Sequence, residues 1–434
     1  MARLGAFCFP GTGHINPMTA LARRLVQRGH SVVIFGIADT EERVRAAGIE
    51  FHRIGEKDYP LGTLRALDER LGTLKGLATF KFTVERVKNT ARMILRDGPD
   101  AVRKTGVEAL LVDEADMGGS VAEYLGLPFV SIAMFPPLTE DDRIPPFCFP
   151  WGVGRGPFSK LRNRLGMRLL YHVAQPIFAL LNAQRKAWGL APLKRSTEML
   201  SKVAQIAQLP EVLEFEVNPR QPRLHYAGPF VDAGQRPVVE FPWDKLDGRP
   251  LVYASLGTLQ NGSEAIFRTI AEACAGLDAQ LVISLGGGLD PARLGTLVGD
   301  PLVVRYAPQL EIVKRAAAVI THAGLNTVLE SLAEGVPLVM LPLGNDQPGV
   351  AARVAAKHAG IIVSRQRLKT TKLRTAVRAV LEEPRYRAAA GALKEAIARV
   401  DGLAVAADVI ENALQISASQ RQPGVEAVVN RTTA

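Results

Sequence analysis

The feature that most constrains the fold is a repeated unit: a short apolar run, a glycine-rich turn, an amphipathic stretch at helical spacing, and another apolar run. From Leu4 it reads as strand LGAFCF, turn PGTGH, helix NPMTALARRLVQRG and strand SVVIFG. Apolar runs separated by a helix fit the buried strands of a parallel sheet, whose crossovers lay helices over both faces. The unit recurs in EALLVDEADMGGSVAEYLGLPFVSIA, where ALLV feeds a helix ending at Gly126 and Pro128 opens the next strand. The run GPFVDAGQRPVVEFPWDKLDGRP, residues 228–250, lacks periodicity and is rich in Pro and Gly, so an exposed linker is expected there.

Beyond it the alternation restarts with LVYASLGT, a helix through IFRTIAEACAGL, then QLVISLG, LVVRYA, LEIVKRA, AAVITHAG, NTVLESLAEG and VPLVMLP. With 434 residues the chain exceeds what one hydrophobic core supports. The expected fold class is therefore α/β, with two doubly wound, Rossmann-like domains. The expected division is an N-terminal domain 1–228, a linker 229–250, a C-terminal domain 251–395, a helix 396–416 and a polar, disordered tail 417–434.

Fifty-three Lys and Arg against 43 Asp and Glu give a net charge of +10, which favours anionic partners without choosing among them. Nothing beyond this charge speaks for nucleic acid, so none is expected as a partner. Cys8, Cys148 and Cys274 form no CxxC pair and suggest neither a zinc site nor a disulfide framework. No run reaches the roughly 18 apolar residues of a membrane span, and the first residues show no long apolar leader. A cytoplasmic protein is expected, soluble or attached to a membrane face.

In open parallel sheets, ligands sit beyond the carboxyl ends of the strands. Two motifs lie at such places. The first is Gly11-Thr12-Gly13-His14-Ile15-Asn16-Pro17, whose glycines permit close backbone approach and present His14 at the mouth of a helix. It is not a dinucleotide fingerprint, because Asn16 stands where the third glycine belongs, and the second half lacks GxGxxG as well; a nicotinamide enzyme is thereby disfavoured. An imidazole with an ordinary pKa of about 6.5 accepts a proton from a hydroxyl when a carboxylate orients its other nitrogen. Asp113, ending the strand ALLV, is the first candidate for that carboxylate, and Asp116 is the reserve.

The second motif runs Tyr306-Ala307-Pro308-Gln309, Thr321-His322-Ala323-Gly324-Leu325-Asn326-Thr327, Glu330, and Gly344-Asn345-Asp346-Gln347. A helix opening near Leu325 offers unpaired backbone N–H groups and a positive dipole end, which suit a diphosphate. His322, Asn326 and Thr327 add donors. Glu330, one turn beyond Asn326, suits two ribose hydroxyls, and Tyr306 suits stacking on a flat base. Asp346 and Gln347 suit a polyhydroxylated group.

The stretch from Tyr306 to Gln347 resembles the donor-binding signature of the UDP-dependent glycosyltransferases, inverting enzymes of the GT-B fold, in which two such domains face a central cleft. The likeness extends over nearly the whole chain through His14, Asp113, Gly228-Pro229-Phe230 and Ser255-Leu256-Gly257-Thr258, with HAGLNT where plant members carry HCGWNS and Tyr306 where they carry Trp. It implies His14 as base with Asp113 as partner, and Tyr306 with Gln309 at uracil. Ser255, Thr258, His322, Asn326 and Thr327 would hold the phosphates, with Gly13 and Gly324 also among the donor-binding residues; Glu330 would bind ribose, and Asp346 with Gln347 the hexose, the Gln being usual for glucose. UDP-glucose is then co-substrate, with no other cofactor and, lacking a DxD motif, no metal. Within the family the chain is most similar to bacterial zeaxanthin (carotenoid) glucosyltransferases. That likeness rests on Asp58-Tyr59-Pro60-Leu61-Gly62, LLVDEA at 110–115 and PPFCFPWGVGRGPFSKLRNRLG from Pro145, and it implies a small hydrophobic acceptor. Phenolic, polyketide or lipid-linked acceptors, the last used by transferases that share the fold, stay open as alternatives, as does a non-catalytic nucleotide-sugar binding protein.

Residues 151–197 hold nine basic side chains, Arg155 through Arg195, and no acidic one. Interleaved leucines make this an amphipathic segment broken at Pro176. Peripheral contact with an anionic membrane and a pair of core helices with a solvated basic face are both open readings.

Overall fold

The structure is a computed structural model describing residues 1–416 apart from 75–76, 155, 218–220, 233, 235–238, 258–262 and 288. Thr258, Arg155 and the expected tail 417–434 therefore lie outside the described residues. Two parallel sheets carry the molecule. The first comprises β1 (Arg3–Phe7), β2 (Ser31–Gly36), β3 (Glu50–Arg53), β4 (Ala109–Asp113), β5 (Phe129–Ala133), β6 (Gln205–Ala207) and β7 (Leu224–Tyr226), in the order β3-β2-β1-β4-β5-β6-β7. The second comprises β8 (Leu251–Ser255), β9 (Gln280–Ser284), β10 (Leu302–Val304), β11 (Ala316–Thr321), β12 (Leu338–Met340) and β13 (Gly360–Ile362), in the order β10-β9-β8-β11-β12-β13. In each, the winding direction reverses at one place, between β1 and β4 and between β8 and β11. This is the doubly wound α/β architecture expected from the alternation of strands and helices.

Helices cover both faces because the central strands are largely apolar. All five residues of β4 and of β8 are buried, which only a sheet covered on both sides achieves. The helix after β1 spans Thr12–Gln27, opening four residues before the expected Asn16. Gly11 is extended and its carbonyl accepts from the N–H groups of His14 and Ile15, each at 2.9 Å. The glycine turn is thus the first turn of the helix itself.

Two further differences concern the connections. The segment expected as an exposed linker is pinned at both ends: Phe230 is buried in the core of the first sheet, and Phe241, Trp243 and Leu246 pack on the core of the second. In the basic segment the α-helix Pro157–Ala187 runs through Pro176 rather than breaking there. Pro176 and His172, whose carbonyl loses its helical donor, are both exposed, so water can satisfy that carbonyl.

The region 384–414 forms two helices, Pro384–Ala398 and Gly402–Leu414. The second crosses back to the first domain, placing Leu403, Ala406, Ala407 and Ile410 in the same core as Leu21 and Leu25. Arg28 pairs with Asp408 and Glu411 at 2.5 and 2.9 Å along this contact. A Cβ at Gly402 would lie 2.7 Å from the Pro229 carbonyl oxygen, so glycine is needed where the two backbones meet.

The two sheets also share an interior. Ala133, Ala207, Leu209 and Leu213 pack in one cluster with Leu325, Leu329, Val350 and Val354. Beside this cluster Arg353 and Glu214, each 1% exposed, join the halves through Nε–Oε1 and Nη2–Oε2 contacts of 2.8 and 3.2 Å. Arg353 Nη1 donates to the Gly349 carbonyl at 3.1 Å, and its guanidinium lies 4.8 Å from the Phe215 ring centre. Removing one partner strands a buried charge. Arg353→Met should therefore cost about 3–5 kcal/mol in denaturant unfolding, and the double variant Glu214→Met/Arg353→Met should recover much of that loss.

Candidate active site

Both winding reversals place loops opposite each other at the carboxyl ends of the sheets, where ligands bind in this architecture. At the first, Phe7 of β1 lies in register with Val112 of β4, so Asp113 falls beside the residues leaving β1. There His14, third residue of its helix, bonds through Nδ1 to Asp113 Oδ2 at 2.6 Å. Asp113 is fully buried. Its Oδ2 also accepts from Phe9 N at 3.3 Å and from the Cys8 thiol at 3.7 Å, and its Oδ1 accepts from Ala115 N at 3.0 Å. Four donors hold the carboxylate in one orientation.

That orientation determines the histidine. With Nδ1 engaged, Nε2 is the ring nitrogen left for a ligand, and it makes no hydrogen bond among the described residues. The side chain is 22% exposed and faces the rings of Phe9 and Phe135 at 5.3 and 6.2 Å. Burial by itself pushes the His14 pKa down, but the Asp113 charge and hydrogen bond, with smaller help from Asp346 and Asp116, raise it above its ordinary value.

Asp116 does not reach His14 by hydrogen bond. Its Oδ1 accepts from Gly118 N at 2.9 Å, at the start of the helix Gly118–Leu125, while Oδ2 is buried without a partner. Burial and the neighbouring Asp113 push its pKa up to about 8. Glu114, also pushed up to about 8 by burial, accepts from Leu138 N and from Gln205.

At the second reversal, Ser255 ends β8 in register with Thr321 of β11. His322 follows, and its ring lies between two glycines: a Cβ at Gly257 would be 2.6 Å from Cε1, and one at Gly324 would be 2.5 Å from Nε2. Those glycines are required by the ring, and Gly257 also has φ +73°. Burial pulls the His322 pKa down to about 4, so the ring is neutral at pH 7. Ala323 then takes φ +68°, uncommon for a residue with a Cβ, and Gly324 caps the helix Leu325–Ala333.

One turn into that helix, Glu330 is 3% exposed and accepts from Gln309 Nε2 at 2.5 Å. The same amide reaches Thr327 Oγ1 at 3.3 Å, and Gln309 Oε1 accepts from Tyr253 at 3.3 Å. Tyr306 is 49% exposed over the turn at Gly287, where a Cβ would lie 1.9 Å from its hydroxyl. Asp346 and Gln347 open the helix Gln347–Ala356. Gln347 Oε1 accepts from Leu343 N and Gly344 N at 2.7 and 3.0 Å, which leaves its NH2 group for a ligand.

The two clusters meet across the cleft. Pro17 has no N–H, so the Gly13 carbonyl four residues earlier lacks its helical donor. Asn326 supplies one from the other domain, Nδ2 to Gly13 O at 3.0 Å. Gln208 Nε2 donates to Asn326 Oδ1 at 3.1 Å and to Met134 O at 3.0 Å. Asp346, whose own pKa is raised by burial, faces His14 closely enough for each to shift the other.

The structure thus brings together His14, Asp113, Gly13, Asn326 and Asp346 at the cleft, with Ser255, His322, Gly324, Thr327, Gln309, Glu330, Tyr306 and Gln347 on the second domain's side of it. Gln208 and Tyr253 were not marked by the sequence, since a Gln in a short strand exit and a Tyr inside a buried strand carry no pattern. Among the described residues no group of three His, Cys, Asp or Glu is arranged to hold a metal ion, and no helix is long and apolar enough to cross a membrane.

Residues 9–139 match the model for the glycosyltransferase family 28 N-terminal domain, and residues 96–396 match that for UDP-glucoronosyl and UDP-glucosyl transferase. Similar proteins include a zeaxanthin glucosyltransferase of Pantoea ananas, 29% identical over 95% of this chain and 96% of that protein. Another, from Pseudescherichia vulneris, is 33% identical over 82% and 84%. The 4'-demethylrebeccamycin synthase of Lentzea aerocolonigenes is 29% identical over 94% and 99%. Among solved structures, the glycotransferase of kitacinnamycin superposes with a TM-score of 0.75 at 21% identity, covering 95% of this chain and 99% of that one. Glycosyltransferase VinC, solved in complex with DTDP, gives 0.69 at 20%, covering 95% and 100%. With a family model spanning most of its length and a His–Asp pair set across a cleft from a helix N-terminus, the chain belongs to the UDP-glucoronosyl and UDP-glucosyl transferase family and is a glycosyltransferase of the GT-B fold.

Proposed function

We propose that this enzyme moves a hexose, glucose first among them, from a UDP-sugar to a hydroxyl of a small apolar acceptor, with inversion at the anomeric carbon. A hydroxylated carotenoid such as zeaxanthin is the leading acceptor, supported by the names of two relatives and by the apolar rings of Phe9 and Phe135 around His14. The observation that carries the reading is the His14–Asp113 pair, with Nε2 open, facing Asp346 at a helix N-terminus of the other domain.

In the proposed step His14 Nε2 takes the acceptor's proton as that oxygen forms a bond to the anomeric carbon. The bond from that carbon to the diphosphate breaks, and UDP leaves from the opposite face with the electron pair. Asp113 keeps the proton of the resting ring on Nδ1 and stabilises the imidazolium that forms. Charge on the leaving diphosphate meets the N-terminus of Leu325–Ala333 together with Gly13, Ser255, Thr258, Gly324, Asn326 and Thr327. His322 serves there as a neutral hydrogen-bonding group, because its pKa of about 4 leaves it uncharged. Glu330 holds ribose, Tyr306 with Gln309 holds uracil, and Asp346 with the Gln347 amide holds the hexose. The step uses no metal, so EDTA should leave the initial rate unchanged. An acceptor of this kind places the enzyme at the cytoplasmic face of a membrane.

His14→Ala should lower kcat with zeaxanthin and UDP-glucose by roughly a hundredfold to ten-thousandfold while leaving donor KM nearly unchanged. The rate needs a neutral imidazole, so it falls as pH drops through the raised His14 pKa, and the acid limb of kcat/KM lies above about pH 6.5. Asp113→Asn removes the charge that raises this pKa, so it should both slow the reaction and move the limb to lower pH. Unchanged activity in His14→Ala at saturating acceptor would remove the base assignment. Glu330→Gln should act differently, raising donor KM about tenfold or more with a smaller effect on kcat. Phenolic and polyketide acceptors belong in the same assay, and transfer to these alone would redirect the acceptor assignment.

A further inference from the structure

The helix Pro157–Ala187 divides in two by what covers it. In its C-terminal half Ile177, Phe178 and Leu181 are buried against Ala91, Leu95 and Met117. In its N-terminal half Phe158, Leu161, Leu165 and Leu169 are 85%, 51%, 53% and 54% exposed. Spacings of three, four and four residues put these four on one stripe of the helix. Its rotation is set from the other side. Asn163 is buried and donates to the Asp142 carbonyl at 2.9 Å, and a Cβ at Gly166 would lie 2.8 Å from the Trp151 ring. The stripe therefore faces outward by construction.

Charge flanks it on both sides. Lys160, Arg164 and Arg168, four residues apart, are exposed along one border, and Arg162 on the other lies 4.8 Å from the Trp151 ring centre. Residues 151–197 contain no acidic side chain, and Asp141 and Asp142 in the preceding loop are paired with Arg143 and Arg164. A contiguous exposed apolar stripe marks an interaction surface. A stripe bordered by cations on both sides matches the boundary of an anionic bilayer, where leucines enter the acyl region and Lys and Arg reach back to headgroups.

The same surface leads inward to the dyad. Trp151 stacks on Phe149 at 4.1 Å, Phe147 lies 5.2 Å from Phe135, and Phe135 lies 6.2 Å from His14. We propose that the first turns of Pro157–Ala187, with the loop from Phe147 to Trp151, rest on an anionic lipid surface, and that the aromatic residues between them and His14 take an apolar acceptor from it. The delivery half rests on the function proposed above; the lipid contact does not.

The test uses the full chain and vesicles of phosphatidylcholine with or without phosphatidylglycerol, read by co-sedimentation without any substrate. The protein should sediment with phosphatidylglycerol vesicles and be released as ionic strength rises from about 0.1 to about 1 M. Leu161→Ser/Leu165→Ser/Leu169→Ser should abolish binding, and Lys160→Gln/Arg168→Gln should weaken it roughly thirtyfold. These side chains face solvent, so the variants should melt like the wild type and retain transfer to a water-soluble phenol, while transfer to an acceptor dissolved in vesicles falls. Wild-type protein left in the supernatant, or a leucine variant that sediments as well as wild type, overturns the proposal. So does a wild-type dimer that the leucine variant dissolves, because a second copy would then cover the stripe. Vesicle binding without transfer to any acceptor would keep the lipid contact and remove the delivery half together with the proposed function.

Discussion

The ion pair between Glu214 and Arg353 holds the geometry on which the site depends. Each charge is buried, and each finds its opposite charge in the other domain. The helix bearing Arg353 begins at Asp346-Gln347, so the pair also anchors those side chains relative to His14. A flexible hinge would leave such groups to find each other by diffusion. Here the shared core of Leu209 and Leu213 with Val350 and Val354 makes the seam a packed interior, and interiors resist small displacements.

Within that frame the proposed chemistry rests on one buried carboxylate. Asp113 is held by backbone and thiol donors as well as by His14, so the imidazole is oriented by a group that cannot itself turn. The neighbouring Asp116 and Glu114 are pushed toward their neutral forms by burial, which lets several carboxyl groups share one strand end without stacking like charges. His322 is neutral and squeezed between glycines, and the helix end where the diphosphate is proposed to lie is opened by the turn at Ala323.

The contact between Asn326 and the Gly13 carbonyl shows how a local rule acts at long range. Proline in a helix normally costs a hydrogen bond, and Pro17 frees a carbonyl in the first helical turn, which carries His14. The other domain fills that vacancy, so a helix defect becomes a bridge across the cleft. The C-terminal helix Gly402–Leu414 supports the opposite end of the same element through Arg24 and Arg28.

The sequence by itself determined the two doubly wound halves, because uniformly apolar strands alternating with amphipathic helices have few other solutions, and it marked His14, Asp113 and the run from Tyr306 to Gln347 because strand ends in such sheets are where ligands bind. Local patterns did not reveal the pinned linker, the unbroken helix through Pro176 or the return of the last helix to the first domain. Each depends on what lies opposite: a proline is tolerated when its orphaned carbonyl reaches water, and an Ala-rich helix chooses its side by the glycine that lets backbones touch. Only the tertiary structure showed that Asp113, the first candidate, bonds to His14 while the reserve Asp116 does not, enlisted Gln208 and Tyr253, and turned an amphipathic pattern into a buried half and an exposed stripe. Sequence periodicity states that a face is apolar, and burial by a neighbour decides whether that face is core or surface.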